Sequence, residues 1–278
     1  MEQPETTLIR DEESDNRPIR ERIRSYKFSE TRDLPMILAV RNATFIGHEQ
    51  LFEQLKAQRS ETRRQGFSWR LSRLIEVGVV RRMAEVLPYR GPVYTITRAG
   101  LSCLEACGEG LVSLTSESRS LPNESQAGHF LELVEIRNAL RRRGILKKWI
   151  SDIELKSINM VIDTPLAKDY DAVAEFEIAL VGTVRAGVEF ERSMKSAARY
   201  REIVGEIKRE KQVDLLIFLT PSLDLIFQLR SLIRDFEFPI CLAQSKAFCK
   251  EPLALPMHNT LDQNKVSLLE ICGMLHNK

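Results

Sequence analysis

Asp171, Glu189, Glu191 and Lys195 are the residues whose types and spacing suit phosphodiester chemistry. Hydrolysis of a phosphodiester uses a metal ion to orient water and to stabilise the leaving oxygen. Magnesium takes a couple of carboxylates and keeps several waters. Asp171 opens one strand-like segment, and Glu189 and Glu191 lie near the end of the next. Side chains alternate along a strand, so Glu189 and Glu191 point to the same side. Asp171 and Glu189 are therefore the candidate Mg2+ ligands, with Glu191 and Lys195 completing a candidate catalytic set. Lys195 and Arg199 lie one turn apart at the start of the following helix, placed to hold a phosphate or neutralise developing charge.

The elements around these residues read as a mixed sheet flanked by helices. The pattern predicts a helix over 126–143, strands over 149–160, 170–180 and 184–192, and a helix over 195–211. Val213–Leu219 is a continuous apolar run of strand length, as a buried central strand requires. A helix over 222–235 and a strand over 239–243 follow. Thr260 with Gln263 has the spacing of a capping box for a last helix. His129 and Glu132 share a face of the first of these helices, beside Glu135. Arg141-Arg142-Arg143 with Lys147-Lys148 reads equally as a DNA track or as dipole partners at a helix end.

A different order precedes this. Residues 32–105 read as helix, helix, helix, hairpin, with Asp33 as a cap and Leu34, Ile37 and Leu38 as the first core face. The second helix spans 48–57. In the third, over 67–77, Phe67, Leu71, Leu74 and Ile75 form the apolar stripe, leaving Trp69, Arg70, Ser72 and Arg73 outward and Gly78 to end the helix. That is a winged helix-turn-helix pattern. Ser68, Trp69, Arg70, Ser72 and Arg73 are its candidate base-edge and phosphate contacts. Arg63, Arg64, Arg81 and Arg82 flank the helix, and Arg90 sits at the turn between the hairpin strands, each placed to hold phosphate.

Composition bounds the alternatives. The chain has 278 residues, enough for two domains, and its net charge of +2 hides seven arginines against two glutamates between positions 59 and 82. Five cysteines without a CxxC pair fit reduced thiols rather than a disulfide framework or a zinc site. No run of about eighteen apolar residues suggests a membrane span, and no apolar leader opens the chain, so the cytoplasm is expected. No GxxxxGKS loop is present, which argues against a nucleotide cofactor. The reading divides the chain into a charged arm at 1–30, a DNA-binding domain at 31–111, a Ser-rich linker at 112–125, a second domain at 126–250 and a helical extension at 251–278.

The Asp171…Glu189 pair resembles the PD-(D/E)xK nuclease superfamily. Tyr170 stands where that pattern often has proline, and Glu191 stands where it has its lysine, with Lys195 placed to substitute. Taken in order, several motifs resemble the replication-relaxation family of plasmid and mobile-element proteins across 32–245. They are Gly66–Arg82, Tyr94–Gly100, His129 with Glu135-Ile136-Arg137, Tyr170-Asp171-Ala172, Glu189–Ser193 and Lys195–Tyr200. The resemblance implies a winged helix followed by a restriction-endonuclease-like domain, and a role in replication, relaxation or maintenance of a mobile element. Three readings stay open. One is a double-stranded DNA-binding protein of a mobile element, with a nuclease-fold domain used for binding or assembly. Another is a Mg2+-dependent endonuclease or nickase. The last is a protein-interaction scaffold. A second copy or a protein partner is left open in each.

Overall fold

The computed structural model describes residues 28–276, apart from 84–85, 87–88, 90, 115–122, 180, 234–235 and 263. Most of the charged arm, Arg90 at the hairpin turn, most of the linker and Gln263 therefore lie outside the described residues.

The amino-terminal unit begins with α1 (Asp33–Ala43), β1 (Ile46–Gly47), α2 (His48–Ala57) and α3 (Arg64–Glu76). β2 (Val80–Arg82), β3 (Val93–Ile96) and α4 (Arg98–Ala106) follow. Its three strands form an antiparallel sheet in the order β1-β3-β2, with Val80 opposite Ile96 and Ile46 opposite Tyr94. Gly78, at φ +79°, turns the chain out of α3 into β2, a conformation that costs glycine no Cβ clash. Thr97 caps α4 by accepting the Gly100 N–H at 3.0 Å. The apolar stripe of α3 is buried as Phe67, Leu71 and Leu74. The core face of α1 differs from the expected one. Met36, Ile37 and Val40 are fully buried, and Leu34 and Leu38 are only partly so. α1 packs on α2, on β3, on α4 and on the long helix described next, so burial wraps most of its circumference.

The second unit is built on a six-stranded mixed sheet flanked by helices. Its elements are α5 (Ala127–Arg142), β4 (Leu146–Ser151), α6 (Asp152–Val161), β5 (Ala172–Ile178), β6 (Gly182–Phe190) and α7 (Ala197–Arg209). They continue with β7 (Leu215–Thr220), α8 (Leu223–Ile233), β8 (Ile240–Gln244), α9 (Ser245–Lys250), β9 (His258–Asn259) and α10 (Leu268–His276). Strand order is β4-β5-β6-β7-β8-β9. The β6, β7 and β8 pairings are parallel and the outer ones antiparallel. β7 is buried on both faces. Leu215, Ile217 and Leu219 join α5, α9 and α10 in one core, while Leu216 and Phe218 join α7 and α8 in the other. That alternation is the period-two pleat acting on an uninterrupted apolar run.

Two expected elements are corrected. The strand expected over 149–160 is β4 followed by α6. Ser151 donates its N–H and hydroxyl to Glu154 at 2.9 and 2.7 Å, a capping box that starts a helix in mid-segment. The last helix begins at Leu268, where Ser267 bonds Glu270 at 2.7 Å. Thr260 instead donates to Phe238 O and accepts from Ile240 N, tying down the start of β8.

α5 belongs to both units. Leu133, Ile136 and Leu140 enter the sheet core, and Val134 enters the core of the amino-terminal unit. Gln50 donates to Leu131 O at 2.9 Å, and Arg142 pairs with Glu53 at 2.8 Å. No helix among the described residues is long and apolar enough to cross a membrane.

Candidate functional site

Ala172 pairs with Val188 across β5 and β6, which brings Asp171 and Glu189 alongside each other at the end of the two strands. The Asp171 carboxylate accepts the Phe190 N–H at 2.8 Å through Oδ2. Its Oδ1 faces His129 Nε2 at 3.3 Å. Burial alone would raise the Asp171 carboxyl, yet the His129 hydrogen bond and charge, the Phe190 N–H and Lys168 bring it below the usual range. For His129 burial works against the charged ring, and the Asp171 hydrogen bond and charge together with Glu189 and Asp152 outweigh it, so the imidazole is raised. The ring lies between Phe130 and Phe190, at centroid distances of 5.3 and 5.7 Å.

Glu189 is buried, and so is its partner. Lys168, from the loop before β5, donates its ammonium to Glu189 Oε1 and, at 3.1 Å, to Asp169 O. The same ammonium stands 5.1 Å from the centre of the Tyr170 ring. Burial pushes the Glu189 carboxyl up to about 7, the Asp171 charge adds to this, and Lys168 opposes both. Glu191 is also buried and is engaged by the Lys195 ammonium. Lys195 is raised: burial opposes its charge, and Glu191, Glu189 and Asp171 together prevail.

The structure thus gathers the four expected residues at one end of the sheet, each carboxylate already facing a basic side chain of the protein. Asp171 faces His129, Glu189 faces Lys168 and Glu191 faces Lys195. Among the described residues, no three His, Cys, Asp or Glu side chains form a group that could hold a metal ion. As arranged, this donor set does not fit magnesium, because lysine ammoniums sit on Glu189 Oε1 and Glu191 Oε1, and Asp171 is engaged by His129 and the Phe190 N–H.

Two residues of the cluster were missing from the expected set. His129 stood out in the sequence on a polar helix face and in the motif order of the family resemblance, not as a partner of Asp171, and its neighbour Glu132 turns elsewhere, among Glu135, Lys246 and Arg192. Lys168 carried no signal beyond its place in Lys168-Asp169-Tyr170-Asp171. Two arginines of the basic run at the end of α5 are held by carboxylates. Arg142 pairs with Glu53 and Glu135, and Arg143 with Glu251, each at 2.8 Å.

The expected DNA-contacting residues divide into two groups. Trp69 (59% exposed) and Ser72 lie on the open face of α3, with Ser68 half-buried. Arg63 precedes that helix, exposed, and Arg81 and Arg82 are exposed on β2. Arg64 is exposed and forked against Glu49, and Arg73 pairs with Glu76 at 2.8 Å. Arg70 is the correction. Its side chain turns inward, 2.9 Å from the fully buried Asp33 and 3.6 Å from Glu61. Position 70 follows Phe67 by three and precedes Leu74 by four, so it flanks the buried stripe rather than the open face. Comparison with family models, with curated proteins and with solved structures finds no match to this chain.

Proposed function

We propose that this protein binds double-stranded DNA through its amino-terminal unit, read as a winged helix. The second unit would serve as a nuclease-like platform that does not cut. The observation that carries the reading is the open face of α3. It presents Trp69, Ser72 and Arg73, and β2, packed against this helix, carries Arg81 and Arg82. A helix with short polar and cationic side chains suits a major groove, and flanking arginines suit phosphate. The motif order that resembles the replication-relaxation family favours a role in replication, relaxation or maintenance of a plasmid or mobile element.

A second reading, a Mg2+-dependent endonuclease or nickase, draws on the adjacency of Asp171 and Glu189. The engagement of Asp171 by His129 and the Phe190 N–H, and of Glu189 by Lys168, weighs against it. One assay separates the two: supercoiled plasmid at low salt, with magnesium or manganese, alongside Asp171→Ala and Glu189→Ala. Retarded but uncut plasmid supports the binding reading. Nicking lost in both variants supports the endonuclease. Neither effect would point to the scaffold reading and a protein partner.

A further inference from the structure

We infer that Lys168 is a resident cation: its ammonium holds the Glu189 oxygen that a divalent metal would otherwise take, and so keeps metal out. This role of Lys168 is independent of DNA binding.

The ammonium is held as a bound cation would be. It has a carboxylate oxygen of Glu189, the Asp169 carbonyl at 3.1 Å and the Tyr170 ring face at 5.1 Å. Its charge also acts on Asp171. Lys168 is 6% exposed, and a lysine gives up that much solvent only when paired.

The loop that delivers it is built for the purpose. Glu210 accepts Ala167 N–H at 3.0 Å and the Tyr170 hydroxyl at 3.2 Å on one oxygen, and the N–H groups of Lys211 and Gln212 on the other. Asn159 accepts Leu166 N–H at 3.1 Å and donates to Asp169 at 3.2 Å. Gln212 reaches Thr164 O at 2.6 Å. These bonds fix both ends of the segment, so the ammonium is positioned and not merely available. A lysine on a free loop would leave for water, because taking its charge into the protein costs several kcal/mol unless the pairing is good.

Removing the ammonium frees Glu189 and the Asp169 carbonyl, hard oxygen donors, next to Asp171, whose oxygens stay with His129 and the Phe190 N–H. The test is titration of the full-length protein with Tb3+, read by luminescence sensitised through the neighbouring tyrosine, with Mn2+ as competitor. The unaltered chain should give no saturable signal that depends on Glu189. Lys168→Ala should bind at least about tenfold more tightly. Glu189→Gln in that background should abolish the gain, and Lys168→Arg, which keeps the charge, should not show it. If Lys168→Ala does not fold by circular dichroism, Lys168→Met, which keeps the stem, takes its place. Saturable, Glu189-dependent Tb3+ binding by the unaltered chain would overturn the inference whatever the variants do. So would a folded Lys168→Ala that binds no better than the unaltered protein.

Discussion

Arg70 and Asp33 form an ion pair at 2.9 Å that ties the middle of α3 to the start of α1. Asp33 has no exposed side-chain surface, and it also accepts the Ser29 N–H at 2.7 Å. Arg70 is therefore a structural residue on the helix proposed to meet DNA, and its removal acts first on folding.

Arg70→Ala should leave a buried carboxylate without its cation and cost about 3 kcal/mol or more. Urea unfolding would show this as a lower midpoint. Adding Asp33→Asn should recover part of the loss, since the uncompensated charge goes with it. A midpoint equal to that of the unaltered chain would mean that the pair does not hold these helices together.

Gly187→Ala should strain the sheet beneath Lys168. A Cβ built at Gly187 would lie 2.7 Å from the Tyr170 ring and 3.2 Å from Leu216. Overpacking of this kind costs about 1–3 kcal/mol. It would also displace the ring that faces the ammonium. Thermal unfolding checks the cost; a neutral result would show that the Tyr170 ring moves aside freely.

Stability should fall as pH rises from about 5 to 8. Burial raises the Glu189 carboxyl to about 7 in the folded chain, against an ordinary value of 4.5, so the folded state binds more protons than the unfolded one across that window, and the ion pair with Lys168 is complete above it. His129 acts with the same sign. Its value is raised, so its contribution is complete below 6.5 and is lost as pH climbs through the raised value. Asp171 acts at the other end. Its depressed carboxyl contributes above 3.8 and loses that contribution as pH falls through the folded value. Melting temperature against pH should decline toward neutrality, and Glu189→Gln should flatten the decline between pH 4.5 and 7. A melting temperature that rises across this window would contradict the assignment.

What the sequence disclosed and what it hid have physical reasons. β7 was legible because an unbroken apolar run has one natural home, a strand covered on both faces. The end of α3 was legible because Gly78 is placed where the chain must turn. Arg70 was misjudged because its charge suggested water, while its spacing from Phe67 and Leu74 put it beside the core. Of its buried partners, Asp33 is distant in sequence and Glu61 lies in the loop before α3. α6 was hidden by β-branched and apolar residues that suit a strand, and its signal was the Ser151–Glu154 capping pair. Lys168 could not be assigned from spacing at all. Its partner Glu189 lies on another strand and comes within reach only when β5 pairs with β6.

The measurement that bears most directly on the binding reading is equilibrium retention of duplex DNA across a salt series, for the unaltered chain and for Arg81→Ala with Arg82→Ala. The unaltered chain should bind at low salt and weaken linearly in log–log form as salt rises. The double variant should bind more weakly, with a slope shallower by about two, because each arginine removed leaves one phosphate un-neutralised. The DNA should be recovered intact with magnesium present. No binding at low salt, or a slope unchanged in the variant, would contradict the placement of the DNA on this face.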